Sequence, residues 1–87
     1  MTAHLVWAKG GDARVVSIAA DAIVLRSSVP SPPGSRLEGR LDGQPPARVR
    51  VKVHGSKRQP DGTFVIEGRV LDATREVRAR LEALAAV

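Results

Sequence analysis

The stretch RVRVKVH, residues 48–54, alternates valine with charged or polar side chains without interruption. Successive side chains of a β-strand point to opposite faces, so Val49, Val51 and Val53 share one face and the polar residues share the other. The pattern predicts a strand with one face in the core and the other in water.

The residues after this strand predict a β-hairpin. Residues 55–62 end in the sequence PDG, in which Pro, Asp and Gly each favour a turn. Residues 63–71 should therefore return antiparallel, with Phe64 and Ile66 on one face.

The C-terminal residues change from a period of two to a helical period. Val77, Leu81 and Leu84 are spaced i, i+4, i+7, which predicts an amphipathic helix over about residues 74–86. A preceding aspartate or threonine can cap its first turn. We expect the apolar stripe of this helix to pack on the sheet.

Upstream of residue 48 the sequence predicts four further strands, at residues 4–8, 14–18, 22–27 and 36–41. Residues 28–35 hold three prolines and a glycine, which exclude a helix or a central strand and predict an extended surface loop. The segments together predict one mainly β domain over residues 1–87, with strands from about residue 4 to 72 followed by one helix.

The composition limits the classes of function. With 14 Lys+Arg against 9 Asp+Glu, the net charge is +5 and the pI is near 11.1, which favours acidic partners. The chain has no cysteine, which excludes a disulfide, a thiol nucleophile and a Cys-based zinc site. We see no signal-peptide pattern and no run of about 20 apolar residues, so we expect a cytoplasmic protein without a membrane span.

The order of these features resembles the PilZ domain family. The similarity is carried by ARVVSIAADAIVLRSSVPSPPGSRLEGRL, by ARVRVKVHG and by GTFVIEGRVLDATREVRARLEAL, and it spans about residues 11–84. The resemblance implies a small six-stranded antiparallel β-barrel with a C-terminal helix. It also implies a ligand, cyclic di-GMP, held by an Arg-x-x-x-Arg motif on the N-terminal side and by an Asp/Asn-x-Ser-x-x-Gly turn between two strands.

In this chain the ligand motifs are degenerate. The Asp/Asn, Ser and Gly positions of the turn fall on Ser17, Ala19 and Ala22, and the N-terminal side offers only Lys9 and Arg14. Without paired guanidinium groups most of the energy for binding phosphate is missing. We therefore expect that cyclic di-GMP binding is lost and that the turn remains only as a strand connection. Two alternatives stay open: weak binding of the messenger through these residues, and an ordinary hairpin in an unrelated barrel.

A second Arg-x-x-x-Arg sequence occurs at Arg36 and Arg40. It follows the turn instead of preceding it, so we interpret it as a chance match in an arginine-rich chain.

The sequence does not predict an enzyme. The two histidines, His4 and His54, are fifty residues apart and show no metal-ligand spacing. No acid, base and nucleophile are patterned to meet, so we expect no catalytic residue, no metal site and no cofactor.

Exposed basic residues are the remaining candidates for function. They are Arg48, Arg50 and Lys52 on the alternating strand and Lys57 and Arg58 in the loop after it. We predict that they bind another protein, which by analogy with the family belongs to a motility, pilus, secretion or signalling system. Nucleic acid is the alternative, because such a stripe could follow a phosphate backbone. Single-strand binders also need stacking aromatics, and this chain has only Trp7 and Phe64, with the exposure of Trp7 left open.

Overall fold

The computed structural model describes residues 4–43 and 45–85. In chain order its elements are β1 (Leu5–Trp7), β2 (Asp12–Ala19), β3 (Ala22–Ser27), β4 (Arg36–Leu41), β5 (Ala47–Arg58), β6 (Phe64–Leu71) and α1 (Arg75–Ala85). The helix predicted over about residues 74–86 thus covers 75–85, and residue 86 lies outside the described residues.

The six strands form a closed barrel in the order β1-β2-β3-β6-β5-β4. Every pairing is antiparallel, and β1 closes the barrel because it pairs with β2 on one side and with β4 on the other. The chain is therefore mainly β, and the predicted six-stranded antiparallel barrel with one C-terminal helix is confirmed.

The inner faces of the strands make a single apolar core. Val49, Val51 and Val53 are buried, as the alternation of RVRVKVH predicts. At one end of the barrel Trp7 is only 2% exposed, and its indole N–H donates to Ser27 Oγ at 3.0 Å. Gly39 gives the ring room, because a Cβ there would lie 2.8 Å from Trp7 Cε3. Trp7 is thus a core residue and not an exposed anchor for a partner.

The helix α1 closes the other end of the barrel. Thr74 Oγ1 accepts the N–H of Val77 at 3.1 Å and so caps the first turn. Leu81 is fully buried in the core, with Val77 and Leu84 half-buried beside it. The predicted stripe therefore packs on the protein's own barrel. Arg80 extends the contact by donating to the carbonyl of Pro45 at 2.6 Å.

The interruption between β2 and β3 is shorter than the sequence suggests. Ala19 pairs with Ala22, so the two strands are joined by Ala20 and Asp21 alone, which we call the hairpin turn. Ala20 has a φ of 54°, a left-handed value that favours glycine in two-residue hairpins. An alanine at this position gives no sequence signal for such a turn.

The strand β5 is longer than predicted. A register shift between Val53 and Gly55 accommodates one extra residue, and β5 then continues to Arg58, paired with β6. Lys57 lies opposite Val65 and Arg58 lies opposite Phe64. The prediction that Lys57 and Arg58 lie in a loop is therefore wrong.

A second bulge lies in β2, between Val15 and Ser17. The N–H of Val15 is satisfied there by a side chain, since it donates to His4 Nδ1 at 3.0 Å. Burial, with a smaller contribution from the charge of Arg14, lowers the pKa of His4 below its ordinary value. Both the environment and the hydrogen bond favour the neutral imidazole.

Candidate functional site: the basic face of β4 and β5

The outer surface of β4 and β5 carries five basic side chains and one acidic side chain. Three cross-strand pairs form it, Arg36 with Lys52, Glu38 with Arg50, and Arg40 with Arg48. We call these six residues the basic face. Because side chains alternate along each strand, all six point outward while their neighbours in sequence point into the barrel.

Two of these pairs place like charges directly opposite each other. Residues opposite one another on antiparallel strands have Cβ atoms about 5 Å apart, and like charges there destabilise the sheet. Among the described residues, no acidic side chain forms an ion pair with Arg36, Lys52 or Arg40. The barrel therefore keeps a concentration of positive charge that its own side chains do not balance.

The other two arginines of the basic face have acidic partners at ion-pair distance. Arg48 Nε lies 3.4 Å from Glu38 Oε1, and Arg50 Nη1 lies 3.4 Å from Asp72 Oδ2. All four side chains are well exposed, so solvent screens both pairs and each contributes little.

A shallow groove runs along the outside of β4 where β1 meets it. One hollow of about 550 Å³ is lined by Arg40 and Arg48 at one end of the groove. A second hollow of about 290 Å³ is lined by Lys9 and Arg36 at the other end. The two hollows share Trp7, Ala8 and Glu38, so they adjoin each other along the groove, and each has basic side chains in its lining.

The hairpin turn carries a different charge arrangement. Asp21 Oδ1 lies 2.5 Å from Arg78 Nη2 on α1, and Asp21 Oδ2 lies 3.7 Å from Arg69 Nη2 on β6. We call Asp21, Arg69 and Arg78 the turn cluster. Its backbone is fixed as well, since the carbonyl of Asp21 accepts the N–H of Val70 at 2.9 Å. The connection that the sequence suggested as a former ligand turn therefore attaches the helix to the barrel.

The residues considered for cyclic di-GMP do not converge. Ser17 and Ala19 lie at the end of β2 beside Ala22, all three exposed, while Lys9 lies in the turn before the start of β2. The eight residues of β2 separate these two places by roughly 25 Å. Arg14 lies between them, half-buried and opposite Arg26.

The five predicted partner-binding residues are divided by the bulge in β5. Arg48, Arg50 and Lys52 lie on the basic face, while Lys57 and Arg58 lie beyond the bulge. Sequence reasoning missed Arg36 and Arg40, which complete the basic face from β4. Their alternation with Leu37, Gly39 and Leu41 places them on one outer face, but only the register of β4 on β5 brings them to Lys52 and Arg48.

The histidines and acidic residues form no further site in the described part of the chain. His4 is engaged with Val15, and His54 is exposed at the bulge of β5. Within residues 4–43 and 45–85 no cluster of three His, Asp or Glu side chains could hold a metal ion. In the same residues, no helix has the length and apolar character needed to cross a membrane.

Comparison with known proteins gives this chain no relative. No protein-family model, no curated protein and no solved structure matches it.

Proposed function

We propose that this chain is a PilZ-type barrel that acts as a non-enzymatic adaptor and recognises an acidic surface of a partner protein through its basic face. The observation that carries the proposal is the register of β4 on β5, which places Arg36 opposite Lys52 and Arg40 opposite Arg48. Like charges at opposite positions lower the stability of the free barrel, and an acidic partner would remove that repulsion on binding.

The PilZ part of the proposal rests on the resemblance of the sequence and on the agreement in architecture. A closed six-stranded antiparallel barrel followed by a helix is what the resemblance implies. By the same analogy the partner belongs to a motility, pilus, secretion or signalling system in the cytoplasm. Architecture alone does not determine function, so the surface carries the argument.

Loss of cyclic di-GMP binding is part of this proposal. Lys9 and the residues beside the hairpin turn lie at opposite ends of β2, and the carboxylate of Asp21 in the turn occupies Arg69 and Arg78. An amide chemical-shift titration with cyclic di-GMP at moderate salt should leave residues 9–22 unshifted. Localised shifts there would restore the turn as a ligand site.

The basic face favours protein over nucleic acid as a partner. Single-strand binders stack bases on exposed aromatic rings, but the only tryptophan is buried in the core and the only phenylalanine is half-buried. Glu38 also interrupts the basic side chains in the middle of the face, where a phosphate backbone would be repelled. A patterned surface of this kind suits an acidic protein with a matching arrangement.

The test is partner capture from cell extract with a charge-reversed double variant of the basic face and a charge-reversed control on α1. Arg36→Glu with Lys52→Glu should abolish retention of the partner, while Arg75→Glu, at an exposed position on α1, should leave it unchanged. Circular dichroism verifies that both variants fold. Retention of the same partner by the double variant would refute the basic face as the binding surface. Binding of a single-stranded oligonucleotide that weakens steeply with salt would instead support the nucleic-acid alternative.

A further inference from the structure

The charged side chains of the groove along β4 follow a regular order, basic at both ends and acidic in the middle. Lys9 and Arg36 line one end, Arg40 and Arg48 line the other, and Glu38 lies between them. Arg36 and Arg40 form the Arg-x-x-x-Arg motif that, from sequence alone, is interpreted as a chance match. On a strand, residues four apart share a face and lie about 13 Å from each other.

The chemistry of the groove specifies the charge pattern of its ligand. Two arginines on backbone positions about 13 Å apart match two carboxylates at positions i and i+4 of an extended chain, which has the same rise per residue. Glu38, whose Oε1 lies 3.4 Å from Arg48 Nε, lines both hollows and places a carboxylate beside position i+2, where it disfavours a third carboxylate in the ligand. Between the two ends, the lining that both hollows share besides Glu38 is Ala8 and the almost fully buried Trp7, which offer no charge to a ligand.

The strands beneath the groove cannot lend backbone hydrogen bonds to the ligand. β4 is paired with β1 on one side and with β5 on the other, and β1 is also paired with β2. Recognition therefore depends on side chains, so the spacing of charges in the ligand decides affinity.

We propose that the groove binds an extended acidic peptide segment of the partner, with carboxylates at i and i+4 and a neutral residue at i+2. This inference rests on the proposed function and adds the site and the sequence preference. Lys9 and Arg36 hold one carboxylate, and Arg40 and Arg48 hold the other. Glu38 sets the register by rejecting a carboxylate at the centre.

Three fluorescein-labelled peptides test the preference by fluorescence anisotropy at moderate salt. The spaced peptide GSEVSVESG and the adjacent peptide GSEEVSVSG have the same composition, and the central peptide GSEVEVESG adds a carboxylate at i+2. We expect the spaced peptide to bind about three-fold more tightly than the adjacent peptide, the effect of one screened ion pair. It should also bind at least as tightly as the central peptide despite the lower charge of the spaced peptide.

Variants then separate spacing from net charge. Glu38→Gln should increase affinity for the central peptide about three-fold more than for the spaced peptide, because the local repulsion is gone. Arg40→Gln should abolish the preference for the spaced over the adjacent peptide, and the matched variant Arg75→Gln should keep it. An equal effect of Glu38→Gln on both peptides would overturn the assignment of register.

The outcomes also distinguish this inference from the proposed function. Equal binding of the spaced and adjacent peptides would refute the groove while leaving an acidic partner in place. No binding of any peptide, together with partner capture that does not depend on Arg36 and Lys52, would refute both proposals.

Discussion

The turn cluster and the basic face both concentrate arginine, but they differ in how the charge is balanced. At the hairpin turn, Asp21 lies between Arg69 and Arg78, and the contact joins the helix to the barrel. On the basic face, Arg36 faces Lys52 without a carboxylate at ion-pair distance from either, among the residues described. Charge in the turn cluster stabilises the fold, and charge on the basic face remains available for a partner.

The largest effect should come from removing the apolar residue that holds the helix beside the turn cluster. Leu81→Ala deletes a fully buried side chain and should lower the free energy of unfolding by about 2–5 kcal/mol. Urea denaturation measures this loss. Acidic-peptide affinity should be unchanged wherever the variant remains folded, because Leu81 does not reach the basic face. A loss below about 1 kcal/mol would mean that α1 is not part of the cooperative fold.

A smaller effect on stability is expected at His4, which stabilises the bulge of β2 and belongs to neither the turn cluster nor the basic face. His4→Ala leaves the N–H of Val15 without its acceptor and should lower the free energy of unfolding by about 1 kcal/mol. Because the folded state lowers the pKa of His4, the unfolded chain binds more protons below the ordinary value of 6.5. Stability contributed by His4 is therefore complete above pH 6.5 and falls as the pH drops through the folded-state pKa.

A pH series of urea denaturation tests this sign with a matched variant. His4→Asn keeps an acceptor near the Val15 N–H but does not titrate, so its stability should vary less between pH 6.5 and pH 5. A wild-type protein that becomes more stable over the same fall in pH would contradict the account. A second loss of stability on acidification should begin below pH 3.8, the ordinary pKa of Asp61. In the folded state, hydrogen bonds from Thr63 and, to a smaller extent, the charge of Arg26 lower the pKa of Asp61.

Removing a charge from the turn cluster should lower the stability modestly, whereas removing a charge from the basic face should not lower it. Asp21→Asn removes the carboxylate from Arg69 and Arg78 and should lower the free energy of unfolding by about 0.5–1 kcal/mol, since these side chains are partly exposed. Peptide affinity should not fall. Asp12→Asn makes the same charge change at an exposed position and serves as the control. A loss of peptide binding in Asp21→Asn alone would move the binding surface to the turn.

The sequence predicted the elements of this fold better than their lengths. The alternation of residues 48–54 and the helical spacing of Val77, Leu81 and Leu84 depend only on burial of one face, and both predictions hold. The extension of β5 to Arg58 was missed, because Gly55 and the polar residues after it resemble a loop. Their strand conformation comes from pairing with β6 across a bulge, which is a tertiary effect.

The candidate site was harder to predict because it depends on register. Arg48, Arg50 and Lys52 could be assigned to one outer face from alternation alone. The meeting of Arg36 with Lys52 requires the pairing of β4 with β5, which no local pattern specifies. Asp21 could likewise be placed in a turn, but its arginine partners come from β6 and α1.

The most direct test of the account is the Arg36→Gln variant, with two quantities measured on one sample. Removing the charge opposite Lys52 should leave the free energy of unfolding unchanged or raise it by a few tenths of a kcal/mol, because like charges there are destabilising. The same change should weaken binding of the spaced acidic peptide about two- to three-fold, because Arg36 lines one end of the groove. A variant that loses stability while its peptide affinity stays the same would show that Arg36 serves the fold, and it would contradict the central claim.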